Sequence, residues 1–421
     1  MPWKESDAVS ERMRFVLRLE QGERMVDLCR EFGISAKTGH KIKKRYDEEG
    51  PEGLFDRSRR PRNSPRRTPA QIAGLIIAAR RRFPTWGPKK LRVLLQDENR
   101  GVAVPAASTI GIILEDAGLV DGRPRRRRAS PSPTPLRNSQ KPNDIWAMDF
   151  KGQFRLGDRH LCYPLTVTDH FSRLLLGCDA LESTKTEPVR IALRLLFKEF
   201  GVPDCIRSDN GAPFASTGLG GFSKLSVWLM RVGVQLERIE PGHPEQNGRH
   251  ERMHRDLKAE ATTPPGKNIL HQQERFDEFR ATYNDVRPHE ALDMRRPSDI
   301  YVPASRRFVE PEGPLAYPLH HHAVRVYTRG EIFLPIRGRP RVHVGEAFVD
   351  QELGLRHVGD GTWLISFLDF DLGYVDEETR KVLPPPNGNN PPADRPGGEP
   401  SPRFPPPDLE TTPSEEGASR V

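Results

Sequence analysis

A mixed α/β core, preceded by all-helical segments and followed by a small all-β barrel, is the fold class the sequence predicts. Three observations predict it. Apolar residues recur at helical spacing from Met13 to Ala117. Between residues 144 and 300, short strand-like runs alternate with amphipathic helical ones. Between residues 320 and 380, apolar residues alternate singly with polar ones between Gly-rich turns, as in Val324-Arg325-Val326-Tyr327-Thr328 and Trp363-Leu364-Ile365-Ser366-Phe367.

Taken in order, residues 1–55 read as three helices in a helix-turn-helix layout. Met13, Val16 and Leu17 mark the first, and Met25, Val26, Leu28, Cys29 and Phe32 the second. After the turn Gly33-Ile34-Ser35, Ser35 caps a third helix from Ala36 to Glu48. That helix carries Lys37, Lys41, Lys43, Lys44 and Arg45. Residues 56–68 are a basic Pro/Arg linker that includes Arg59 and Arg60. Residues 69–120 resume helical periodicity over Ile72–Phe83, Pro88–Asn99 and Ala106–Ala117, and predict a second, winged-helix-like DNA-binding unit. An Arg/Pro/Ser linker follows over 121–143, then the core over 144–300 and the barrel over 320–382. The Pro/Gly/Asn/Glu-rich segment 383–421 predicts a disordered tail.

The net charge of +8 is unevenly spread. Residues 1–140 hold 30 Lys+Arg against 17 Asp+Glu, and the remainder holds 36 against 41. A basic first third points to a polyanion, most simply double-stranded DNA. No apolar run reaches eighteen residues, so no membrane span is expected. Residues 1–10 show no apolar leader stretch. The four cysteines form no C-x-x-C pair, which fits a reducing cytoplasm.

Within the core, Asp144–Phe150, Leu161–Thr168, Leu174–Leu181, Cys205–Ser208 and Val234–Ile239 read as strands, and Pro188–Phe200 as an amphipathic helix. A long helix follows Pro244-Glu245-Gln246-Asn247-Gly248 and runs to Ala261. Asp149 and Asp209 fall at strand ends, and Glu251 on the first turn of that helix. Phosphodiester chemistry needs an activated hydroxyl and charge neutralisation on the phosphate and leaving oxygen, which divalent metal held by a few carboxylates supplies. Singly, each acid has a bland reading as a turn former, strand-end acid or helical ion pair.

Together the pattern is specific. Trp146-x-x-Asp149, Ser208-Asp209-Asn210-Gly211 and Pro244-x-x-Asn247-Gly248-x-x-Glu251, in that order, resemble the catalytic core of retroviral integrases and the related bacterial insertion-sequence transposases. These are DDE enzymes with an RNase H-like core, a mixed sheet with flanking helices. The resemblance extends through Tyr283-Asn284-x-x-Arg287-Pro288-His289-x-Ala291-Leu292 and Pro297, and the helix-turn-helix and basic linkers match the bacterial members. It implies that Asp149, Asp209 and Glu251 are the catalytic residues and the ligands of Mg²⁺ or Mn²⁺, with no organic cofactor. Asn210, Asn247 and Gly248 would flank the metal, with Gly248 letting the loop before the helix move. Arg249, Arg252, Arg255 and Lys258 would track a DNA backbone. The implied activity is metal-dependent cleavage and strand transfer at element ends into target DNA, by a homo-oligomer assembled on DNA in the bacterial nucleoid.

Two departures stand out. Between Asp209 and Glu251 lie 41 residues, where the family has roughly thirty-five, so Ser216–Gly221 reads as an insertion absorbed in a surface loop. The chain lacks the His-His-Cys-Cys zinc pattern of retroviral integrases, and His320-His321-His322 reads as a polar loop. The rivals are a helix-turn-helix regulator with a non-catalytic integrase-like core, and a nuclease acting on RNA–DNA hybrids. The intact acids weigh against the first, and the helix-turn-helix against the second.

Overall fold

The structure, a computed structural model, describes residues 7–57, 68–120, 136–240, 243, 246 and 248–385. Arg59, Arg60, Asn247, most of the linker at 121–143 and nearly all of the proposed tail lie outside the described residues. The chain divides into two compact units, one up to Pro69 and one from Ala70. Among the described residues no helix is long and apolar enough to cross a membrane. All four cysteines are free and buried.

The first unit holds α1 (Ala8–Glu20), α2 (Met25–Glu31) and α3 (Ala36–Glu49). Phe15, Val16, Leu28, Cys29 and Leu54 form its core. Ser35 caps α3 as its sequence position predicts, its Oγ accepting from the Thr38 N–H at 3.2 Å. Gly39 is the point of closest helix approach. A Cβ there would lie 2.6 Å from Cys29 Sγ, 2.9 Å from Met25 Sδ and 3.0 Å from the Phe15 ring. Gly39→Ala gains up to about 1 kcal/mol of helix propensity, but the overpacking costs about 1–3 kcal/mol. The expected result is a net loss of stability, read as a lower urea midpoint for the first unit. An unchanged or raised midpoint refutes the packing account.

The second unit begins with α4 (Ala70–Arg82), α5 (Pro88–Glu98) and α6 (Ala107–Asp116) around Ile76, Trp86, Leu91, Leu95, Ile110 and Leu114. The winged-helix expectation is corrected here: among the described residues of this segment there are three helices and no wing strand. Trp86 stacks on Phe83 and lies under the Arg287 guanidinium at 5.8 Å. Thr85 bonds Glu260, Lys89 pairs with Glu290, and Arg296 with Asp97. These helices are thus docked on the core that follows.

That core is a mixed sheet. The strands are β1 (Ile145–Phe150), β2 (Phe154–Arg155), β3 (Leu161–Asp169), β4 (Leu175–Leu181), β5 (Cys205–Ser208) and β6 (Gln235–Arg238). β3 lies antiparallel to β1 and β4, and β2 pairs with its first residues. β5 runs parallel to β1, and β6 parallel to β5. The switch to parallel pairing follows from the connections, because α7 (Thr186–Phe200) and α8 (Lys224–Arg231) are the crossovers that parallel strands need. Side chains of β1 alternate in purpose. Trp146 and Met148 pack with Val189, Leu193 and Phe197 of α7, which leaves Ala147 and Asp149 for the opposite face. On that opposite side α9 (Gly248–Ala261) and α10 (Ile269–Ala281) pack Met253, Leu257, Phe276 and Phe279 against Cys162, Leu175 and Cys178.

The barrel expectation is also corrected. β7 (His322–Arg325), β10 (Glu352–Gly359), β11 (Thr362–Phe367), β12 (Phe370–Asp376) and β13 (Val382–Leu383) form one antiparallel sheet in the order β13-β12-β11-β10-β7, and among the described residues no pairing closes it. A separate hairpin, β8 (Glu331–Phe333) and β9 (Arg341–His343), supplies Ile332 and Val342 to the same core as Leu353, Leu355 and Ile365. Singly alternating apolar residues are satisfied as well by two stacked layers as by a closed barrel, so the pattern could not choose. Nor is Ser216–Gly221 a loose surface loop. Ser216 bonds the Gly221 and Phe222 carbonyls, while Leu219 and Phe222 pack into the C-terminal core.

Candidate active site on the α9 face of the sheet

Strand register puts the first two acids at corresponding positions. β1 and β5 pair Ala147 with Arg207, and two residues further along each strand stand Asp149 and Asp209. Trp146 anchors this edge from the other face, its Nε1 donating to Asn143 Oδ1 at 2.9 Å. Asp209 opens a turn in which the Gly211 N–H donates to its Oδ1 at 3.0 Å. Asn210 ties the turn to the end of β6 by donating from Nδ2 to the Ile239 carbonyl at 2.7 Å. Glu251 stands exposed on the first turn of α9, with no hydrogen bond or ion pair to any described residue. Gly248 opens α9, and a Cβ there would meet nothing within 4 Å, so packing does not require glycine.

Two histidines of α9, not singled out by any motif above, join this face. His250 and His254 face the sheet, 2% and 6% exposed, with rings 4.6 Å apart. Both Nε2 atoms lie 2.7 Å from Thr166 Oγ1, which itself donates to the Asp149 carbonyl at 3.0 Å. A hydroxyl has one proton, so both imidazoles must donate from Nε2, and both Nδ1 atoms carry lone pairs. Burial supports this by holding both rings neutral, with pKa values pushed down to about 3 for His250 and about 2 for His254. His250 Nδ1 accepts from Thr168 at 3.1 Å, and His254 Nδ1 lies 3.9 Å from Asp149 Oδ2. Asp149, His250 and His254 thus place donor atoms within 4.8 Å of one another. Asp209 and Glu251 are not part of that cluster. The legible signal was the His-x-x-x-His spacing, which sets both rings on one helix face.

Two integrase core domain models match the chain, over residues 139–244 and 232–297. A helix-turn-helix domain model matches residues 11–62, and a homeodomain-like model residues 38–114.

This chain carries an integrase core.

The uncharacterized 31.7 kDa protein of insertion element IS407 from Burkholderia multivorans is 27% identical over 241 residues, covering 56% of this chain and 81% of that protein. The uncharacterized 39.2 kDa protein of insertion element IS476 from Xanthomonas euvesicatoria is 28% identical over 250 residues, covering 57% of this chain and 67% of that protein. Among solved structures, the magnesium-bound HTLV-2 integrase catalytic core domain matches 39% of this chain and all of its own length, at 15% identity and a TM-score of 0.32. The intasome of simian T-cell lymphotropic virus with a PP2A regulatory subunit matches 71% of this chain and 96% of its own, at 15% identity and a TM-score of 0.35.

The basic residues of this integrase-core chain divide by their partners. On α9, Arg249, Arg252, Arg255 and Lys258 are all exposed, but the Arg249 guanidinium is directed to His170. On α3, Lys37, Lys41 and Lys44 are exposed. Lys43 is committed within its unit, to Asp47 at 2.6 Å and Glu20 at 3.4 Å, and Arg45 donates to the Phe55 carbonyl. The sequence could not separate these, because charge alone does not say which lysines already have partners.

The closing motif proves to be a clasp. Arg287, 3% exposed along its side chain, pairs with Asp256 at 2.7 Å and Glu260 at 2.9 Å on α9. Asn284 accepts from the Leu175 N–H and donates to the Leu175 carbonyl, both at 2.9 Å. Together they fix α9, and with it Glu251, against the sheet.

Proposed function

We propose that this chain is a transposase that binds element ends through its helix-turn-helix region and performs cleavage and strand transfer at Asp149, Asp209 and Glu251. The observation that carries the reading is the parallel register of β1 and β5: Asp149 and Asp209 each follow the last paired row by two residues, and the third acid stands on the first turn of α9. Three carboxylates are hard oxygen donors and suit Mg²⁺ or Mn²⁺. Asp149 is half-buried and Glu251 exposed, so the set combines a fixed ligand with one free to turn toward a cation, and His254 Nδ1 presents a further lone pair beside Asp149. Such an ion, when bound, would neutralise charge on the attacked phosphate and the leaving oxygen. The chain's own part is to hold these donors, and to meet the DNA backbone with Arg252, Arg255 and Lys258. One set of acids per chain serves one DNA end, so paired ends call for at least two protomers on DNA.

The test is joining of a labelled duplex bearing the element end to a supercoiled plasmid, with Mg²⁺ or Mn²⁺ and with EDTA. Metal-dependent joined product is the expected result. A chain that binds the end duplex but joins nothing in either metal refutes the reading.

A further inference from the structure

One row below the acids, on the same face of the sheet, lies a small cavity walled by Ala147, Thr168, His170, Arg173, Arg207 and Arg249. Ala147 and Arg207 precede Asp149 and Asp209 by two residues, so the cavity sits about 7 Å along the strands from the acids.

Its hydrogen bonding is unbalanced. His170 is buried and neutral, its pKa pushed down to about 2, first by burial and then by Arg249, Arg207 and Arg173. A neutral imidazole has one lone pair. Around that ring stand Arg249 Nη1 at 2.9 Å from Nδ1, Arg207 Nη1 at 3.2 Å from Nε2, and Ser139 Oγ at 3.1 Å from Nδ1. One lone pair is left to serve two guanidinium groups. Among the described residues Arg249 otherwise reaches His170 Nε2 at 3.2 Å and the His170 carbonyl at 3.3 Å. Arg173 makes no side-chain hydrogen bond to a described residue, and its Nε is buried without a partner. Its backbone is held at φ 67°, a conformation costly for a side chain as large as arginine.

The carboxylates near the cluster are already committed. Glu237 Oε2 takes Arg207 at 2.6 Å. Asp169 accepts from the Asn143 N–H at 2.8 Å, and from the Ser172 N–H and hydroxyl at 2.7 and 2.6 Å. Arg207 is satisfied by Glu237, the Arg137 carbonyl and His170, so among the described residues it is Arg173 and Arg249 whose donors are short of acceptors.

We propose that this cavity is an oxyanion pocket, in which Arg173 and Arg249 seat a phosphate of the DNA strand next to the phosphodiester held at the acids. The choice of DNA as occupant rests on the strand-transfer reading, whereas the oxyanion chemistry does not. The spacing from the acids suits a neighbouring phosphate on one strand, and a phosphate brings its own acceptors to the unsatisfied guanidinium groups.

The test uses the full chain in EDTA, so that no chemistry intervenes. Inorganic phosphate should raise the melting temperature by about 3 °C at tenfold over its dissociation constant, and logarithmically with concentration beyond it. Lys198→Gln, on the far face of the sheet, and Arg249→Lys, which keeps the charge, should keep the response. Arg173→Gln and Arg249→Gln should abolish it. On a 30-base-pair duplex, Arg173→Gln should weaken binding about tenfold or more and flatten the salt dependence by a log–log slope of roughly 0.9. No melting shift with phosphate in the parent chain overturns the pocket. A phosphate response lost in Arg173→Gln with duplex affinity and slope unchanged overturns the strand assignment, leaving a site for a free anion. Neither readout depends on joining activity, so failure of the strand-transfer reading would be seen separately.

Discussion

Asp149→Asn, Asp209→Asn and Glu251→Gln each reduce strand transfer by about a thousandfold or more, because ligands that act as one unit lose function almost completely when any one is removed. Each change removes a negative charge and keeps the shape, so the fold and the exposed basic face of α9 are retained. Duplex binding in EDTA therefore stays within about twofold of the parent chain, since phosphate contacts come from Lys and Arg. Glu251→Gln is the sharpest case, because Glu251 is exposed and makes no contact with a described residue whose loss could unsettle the fold. The measurement is joined product per unit time for the three variants beside the melting temperature of each. Robust joining by any folded variant removes that residue from the set. His254→Ala would then show whether the nitrogen beside Asp149 takes over as a donor.

Arg287→Met destabilises the second unit by about 3–5 kcal/mol, the usual cost of removing one partner from a buried ion pair. The guanidinium is nearly sealed from solvent and serves two carboxylates, Asp256 and Glu260, which would lose their buried cation and leave Asp256 only the exposed Arg255 at 3.9 Å. It also lies 5.8 Å from the ring centres of both Trp86 and Tyr283. Its loss thus loosens the α4–α6 segment and α9 together. Adding Asp256→Asn and Glu260→Gln to Arg287→Met should recover part of the loss by removing the uncompensated charges. Urea unfolding of the full chain reads both effects. A cost under about 1 kcal/mol for the single change, or no recovery in the triple variant, refutes the clasp.

Elements with a strong local period were legible. The helices of both N-terminal segments, the strands of the core and α9 all lie within a few residues of where apolar spacing puts them, because burying one face of a helix or strand imposes period 3.6 or 2 on the sequence itself. Closure of the C-terminal sheet was not legible, since the period of a strand is the same in an open sheet and a barrel. The Ser216–Gly221 segment read as surface for a similar reason. Leu219 and Phe222 are too few to reveal, without coordinates, that they cap another layer.

The sequence by itself determined the chemistry on offer: three acids in order, a helix-turn-helix ahead of them, and a basic first third. Side-chain type and chain order are local properties that survive without coordinates. Tertiary structure decided who faces whom. It placed Asp149 and Asp209 at corresponding positions through the β1–β5 register, and left Glu251 outside the tight cluster. It set His254 beside Asp149. It spent Lys43 and Arg45 on internal partners and directed the Arg249 guanidinium to His170. It also gathered Arg173, Arg207 and Arg249, dispersed over 76 positions of chain, around one neutral histidine. Interactions between charges and hydrogen-bonding groups depend on distance and burial, and for residues far apart in the chain only the folded structure sets either one.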